Sequence, residues 1–130
     1  MSDYSFKNNY PILKISIVKE KLSVPVWVII DTGSPYTIIP NEMLNKLGLG
    51  NEDIITKITI HGVVHKEECA VEAPAYLLQI RISEKSLEKT LVVGYDFGSR
   101  FGLLGHNALV NFQLFVDWRQ KMVKLRSLTG

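Results

Sequence analysis

The run Val28-Ile29-Ile30-Asp31-Thr32-Gly33-Ser34 sets a single carboxylate at the end of a strongly apolar stretch. Val26 to Ile30 read as a buried β-strand. Asp31 is poor strand material, and Thr32-Gly33-Ser34-Pro35 supplies turn chemistry directly after it. A carboxylate is costly to place there unless it serves a purpose, and the chemistry open to it is proton transfer as a general acid or base. The competing reading is an Asp-Thr-Gly turn that merely connects two strands. Its neighbours weigh against that: a second apolar run, Ile38-Ile39, leaves the turn, and Leu103-Leu104-Gly105-His106-Asn107 stands far downstream. Of the five aspartates, Asp3, Asp31, Asp53, Asp96 and Asp117, only Asp31 is followed by Thr/Ser-Gly.

Other groupings carry less. His61 and His65 could form a metal pair, but nothing else at ligand spacing accompanies them, so neither metal nor other cofactor is expected. Asp96-Phe97-Gly98 matches a kinase tripeptide, yet the chain has no glycine-rich loop and no His-Arg-Asp run, and is far too short. Cys69 is the only cysteine, which rules out an intrachain disulfide and fits a reducing compartment.

The elements that must position Asp31 read mostly as strand. Ile12 to Val18 and Leu22 to Ile30 pair as a hairpin across Lys19-Glu20-Lys21. Pro40 to Gly48 forms a short helix, with Gly48 suited to end it. Ile54 to Ile60 and His65 to Val71 form a second hairpin around Gly62, and Tyr76 to Ile82 pairs with Thr90 to Val93. His106 to Phe112 is a second short helix. Leu114 to Asp117 and Met122 to Leu125 close the chain as a hairpin. Trp27 and Trp118 read as packing residues, Trp118 equally as part of the closing turn. A shift of 65 positions aligns the sequence with itself: Leu13, Ile15 and Ile17 fall on Leu78, Ile80 and Ile82, Asp31 on Asp96, and Ile38-Ile39 on Leu103-Leu104. The period is half the chain, so one supersecondary unit is duplicated.

At 130 residues, positions 1–130 form one domain able to bury its own core. A net charge of +2 is too small to argue for nucleic acid or a membrane surface. No apolar run reaches the length of a membrane span, and residues 1–20 lack the form of a signal peptide. A soluble, cytoplasmic domain is the expectation.

Taken together, Asp31-Thr32-Gly33-Ser34, the strands around it and Leu103-Leu104-Gly105 resemble the retropepsin-like aspartic proteases, over the span from about Pro11 to Leu125. The resemblance implies an all-β fold: a closed antiparallel barrel with an internal pseudo-two-fold and two short helices. It implies an aspartic endopeptidase that hydrolyses peptide bonds with a water activated between two carboxylates. Because this chain has one such motif, the second Asp31 comes from a second copy in a homodimer.

By the same resemblance Asp31, Thr32 and Gly33 are catalytic, Thr32 bonding the opposing subunit and Gly33 leaving room for substrate backbone. Ser34 donates to the outer carboxylate oxygen, and Leu104 and Gly105 pack beneath the loop. Gly62 is the candidate flap tip, with a plain surface hairpin as the alternative, and Phe97 and Phe101 are candidate walls of the substrate cleft, with core packing as the alternative for each. Viral members carry an acid–arginine ion pair where this chain has Pro35 and His106, and His106 reads as structural. Asp96 is expected to face solvent or a backbone amide. The alternatives are a dimerisation or peptide-binding module of the same fold without useful activity, and a self-processing domain of a larger precursor.

Overall fold

The computed structural model describes residues 2–7, 9–60 and 70–128. Its first hairpin follows from period-two alternation. Leu13, Ile15 and Ile17 of β2 (Ile12–Lys19) and Val24, Val26 and Val28 of β3 (Leu22–Ile30) are buried. The two strands pair antiparallel from Ile12↔Ile29 to Lys19↔Leu22, and Glu20 turns the corner at φ 54°. The device recurs in β6 (Val71–Ile82) and β7 (Lys85–Gly94), where Ser83 turns at φ 55°. A short strand and a helix follow each hairpin: β4 (Thr37–Ile39) with α1 (Asn41–Lys46), and β8 (Gly102–Leu104) with α2 (His106–Leu109).

β2, β3, β8, β4, β7 and β6 form a ring that the β2–β6 pairing closes, and β5 (Thr56–Ile60) adds to the outer side of β6. Most pairings are antiparallel; β3–β8 and β4–β7 are parallel. A separate three-stranded sheet runs in the order β1 (Ser2–Ser5), β10 (Met122–Ser127), β9 (Phe112–Asp117). The result is a closed, all-β barrel with two short helices among the described residues.

The register exposes the internal two-fold. Ile17 pairs with Ile80, flanked by Ser16↔Arg81 and Val18↔Gln79, and Ile38 pairs with Leu103. Each pair joins equivalent residues of the two halves, so the pseudo-axis runs through both. The offset is 65 from Ile38 to Leu103 but 63 from Ile17 to Ile80 and from Glu20 to Ser83. The second half therefore holds two additional residues. One is a bulge: β6 advances from Leu78 to Ile80 while β7 goes from Thr90 to Leu87. The other lies in the loop after β7, residues 95–101, against residues 31–36 after β3. The 65-position alignment thus holds for β4/β8 and the helices and is two residues out along the hairpin strands β2 and β6.

The main core holds Leu13, Ile17, Val28, Ile39, Ile80, Val92 and Leu104 inside the barrel. A smaller cluster lies on the opposite face of β4, β7 and β8: Ile38, Ala73, Ala75 and Val93 are buried, with Tyr36, Leu91, Tyr95 and Leu103 half-buried against them. Ile38/Ile39, Val92/Val93 and Leu103/Leu104 divide between the two faces, which is why these strands read as unbroken apolar runs.

Several expected boundaries move. β6 begins at Val71 and β7 at Lys85, and Phe112 opens β9 instead of ending a helix. The hairpin expected around Gly62 is met only by β5 and the start of β6, paired from Thr56↔Ala75 to Ile60↔Val71; Gly62, His61 and His65 lie outside the described residues. Trp27 is a surface residue, with the Lys7 ammonium 4.4 Å from its ring centroid. Trp118 is exposed in the closing turn, edge-on to Phe6 at 5.2 Å. Among the described residues no helix is long and apolar enough to cross a membrane.

Candidate active site

Asp31 leaves β3 where β8 ends beside it. Its N–H donates to the Leu104 carbonyl at 3.0 Å, so the last bond of the parallel β3–β8 pairing fixes its backbone. The chain then turns: the Ser34 N–H donates to the Asp31 carbonyl at 3.1 Å, and the Gly33 N–H to Asp31 Oδ1 at 3.1 Å. The carboxylate is half-buried, and no cation among the described residues pairs with it. Thr32 and Gly33 are exposed beside it. A Cβ on Gly33 would meet only Asp31 Oδ1, at 3.5 Å, so nothing in this chain itself demands glycine there.

Beneath the turn the packing is tight. A Cβ on Gly105 would overlap the Tyr36 carbonyl and approach the Ser34 carbonyl oxygen to 2.8 Å, so only glycine fits. The closeness lets the His106 N–H donate to Ser34 O at 2.7 Å and the Asn107 N–H to Pro35 O at 3.2 Å, docking the start of α2 on the loop. Thr37, fully buried, is the residue that sequence reasoning missed. Its hydroxyl donates to Asn107 Oδ1 at 2.9 Å and accepts from the Gly105 N–H at 3.2 Å, and Asn107 Nδ2 donates to Leu91 O at 2.8 Å. The available signal was a hydroxyl residue directly before the apolar pair Ile38-Ile39, at a position that alternation places indoors.

Ser34 is buried, and its hydroxyl donates to the Tyr36 carbonyl at 2.7 Å. That corrects the expected bond to the Asp31 carboxylate: the turn brings the next carbonyl but one within closer reach of the short side chain. His106 and Pro35 are exposed, and in place of an ion pair between side chains the two segments are joined through backbone.

The second half shows what stands opposite Asp31. The Tyr95 N–H donates to Ile39 O at 3.1 Å, as the Asp31 N–H does to Leu104 O, so Tyr95 is the pseudo-two-fold counterpart of Asp31. Asp96 lies one residue further on, with its carboxylate turned onto α1: Oδ1 accepts from the Asn41 N–H at 3.0 Å and Oδ2 from Asn41 Nδ2 at 3.1 Å. Phe97 is partly exposed and edge-on to Tyr95 at 5.1 Å; Phe101 is half-buried, and neither belongs to the main core. Among the described residues no group of three or more His, Cys, Asp or Glu is placed to hold a metal ion.

No protein-family model matches the chain, and no curated protein sequence matches it. Among solved structures it is similar to a retropepsin-like aspartic protease from Rickettsia conorii, with a TM-score of 0.70 at 15% sequence identity, over 95% of this chain and 88% of that one. At that identity the likeness is one of fold: six-stranded closure, duplicated halves and short helices in this order are the retropepsin-like aspartic protease fold.

Proposed function

We propose that this chain is an aspartic endopeptidase that works as a homodimer, each active site taking one Asp31 from each copy. One observation carries the reading. Asp31 holds an accessible carboxylate on a turn fixed at both ends, while its counterpart is Tyr95 and the nearby Asp96 is engaged with Asn41. One chain therefore offers one catalytic carboxylate, and aspartic protease chemistry needs two.

Two carboxylates about 3 Å apart cannot both ionise cheaply, so the pair shares a proton. The ionised member takes a proton from water. The water oxygen attacks the scissile carbonyl carbon while the protonated member donates to the carbonyl oxygen. Proton transfer to the amide nitrogen then releases the two fragments, with no covalent intermediate. The open side of Gly33 admits extended substrate backbone. The cluster of Ile38, Tyr95 and Leu103 next to the Asp31 turn favours apolar side chains flanking the cut.

The test is cleavage of a library of extended apolar peptides by wild type and Asp31→Asn. Turnover that disappears in Asp31→Asn, with an unchanged fold, supports the reading. Tight peptide binding without turnover in the wild type would instead favour a binding module of the same fold.

A further inference from the structure

The loop after β7 has one residue more than its counterpart after β3, and the two loops hold their helices differently. In the first, main chain does it: Ser34 O accepts from the His106 N–H that opens α2. In the second, the corresponding amide, Asn41 N–H at the start of α1, is held by the Asp96 carboxylate, which also takes Asn41 Nδ2. Among the described residues no other hydrogen bond joins residues 95–101 to α1. The fit is close, since a Cβ on Gly94 would lie 2.6 Å from Asn41 Oδ1 and 2.8 Å from Leu44 Cδ1. Beyond Asp96 the Phe101 N–H donates to Ser99 Oγ at 3.1 Å, and Gly98 turns the loop at φ 80°.

We infer that Asp96 is a positioning residue for substrate selection: by clamping Asn41 it sets where Tyr95 and Phe97 stand as an apolar wall of the cleft. The inference rests on the endopeptidase reading. Its logic is steric. Tyr95 is anchored to Ile39 O on one side of Asp96, and Phe97, on the other, sets its ring edge-on against Tyr95. The direction in which the loop leaves Tyr95 therefore follows from the Asp96–Asn41 clamp. Leu103, in the same cluster as Tyr95, adjoins the Leu104 carbonyl that holds Asp31, so a displaced wall changes side-chain fit beside the chemistry and leaves the Asp31 turn intact.

The experiment compares wild type, Asp96→Ala and Asp96→Asn by kcat/KM on paired peptides with a large or a small apolar residue beside the cut. Asn41 amide hydrogen exchange is measured on the same proteins. Asp96→Ala should lower the large-over-small preference about tenfold, the scale of a lost apolar pocket contact, with the shape of the pH profile unchanged. Asp96→Asn keeps an acceptor for the Asn41 amide and should restore most of the preference. Asn41 exchange should speed up in Asp96→Ala alone. An unchanged preference in a folded, active Asp96→Ala enzyme overturns the proposal, as does unchanged exchange at Asn41. If wild type itself fails to cleave, the endopeptidase reading falls and selection by Asp96 with it, while the exchange data still report separately whether the clamp exists.

Discussion

Gly105 and Gly33 stand on two sides of the same turn and answer different demands. At Gly105 an added methyl meets backbone carbonyls that cannot swing aside, so Gly105→Ala should destabilise the fold by about 2–4 kcal/mol. At Gly33 the methyl meets one carboxylate oxygen at van der Waals distance. Gly33→Ala should therefore leave thermal unfolding within about 0.5 kcal/mol of wild type, yet abolish peptide cleavage if the proposed endopeptidase takes substrate backbone through the space that the methyl fills. Paired melting curves and cleavage assays check both; a Gly33→Ala enzyme with full activity would show that the substrate passes elsewhere. Asp31 itself was legible because a carboxylate between an apolar strand and a turn has few structural reasons to be there. Thr37 was not legible, since its role depends on Gly105 and Asn107, about 70 positions away, reaching the same point.

Elements show where period-two reasoning stops. Inward alternation places Leu13, Ile15 and Ile17 on Leu78, Ile80 and Ile82, or two residues earlier on Tyr76, Leu78 and Ile80, with the same residues facing the core. Only pairing decides, and Ile17↔Ile80 chooses the second. The repeat was visible in the sequence; the bulge in β7 was not, nor was the added loop residue, which moves Asp31's counterpart from Asp96 to Tyr95. β1 escaped notice because Ser-Asp-Tyr-Ser has no alternation, and it exists by pairing with β10. The connection from α1 to β5 makes a separate prediction. Asp53 closes the Asn51–Asp53 turn by accepting from the Gly50 N–H at 2.9 Å, and Lys19 of β2 lies 3.1 Å away. The Gly50 bond first, and then Lys19, hold its carboxyl below the ordinary value of 3.8. A depressed folded pKa contributes stability above the unfolded value, lost as pH falls through the folded one. Asp53→Asn should thus be less stable than wild type at neutral pH, with the gap closing below about pH 4. Denaturant midpoints across pH measure this, and a gap that persists at pH 2 would refute the electrostatic account.

At the scale of the molecule, what remains is the second carboxylate. The barrel is closed by its own β2–β6 pairing around its core, so folding of the chain and assembly of the proposed enzyme should be separable. This differs from an obligate dimer, whose folding depends on protein concentration. Under the proposed shared site, which needs two Asp31 side chains, unfolding midpoints should change little on dilution while specific activity falls as dimers dissociate. Mixing makes the argument quantitative. When Asp31→Asn chains are added to wild type and subunits exchange at random, only dimers with two wild-type chains keep two ionisable carboxylates. Activity per wild-type chain then falls in proportion to the wild-type fraction, to about half at equal mixing, with unchanged melting. The same series run with Phe115→Ala chains, altered on the exposed face of β9 and retaining Asp31, should leave more activity than Asp31→Asn at every ratio. Activity per wild-type chain that ignores added Asp31→Asn, in a sample whose measured mass confirms subunit exchange, would mean that one chain catalyses alone and that the shared dyad is the wrong mechanism.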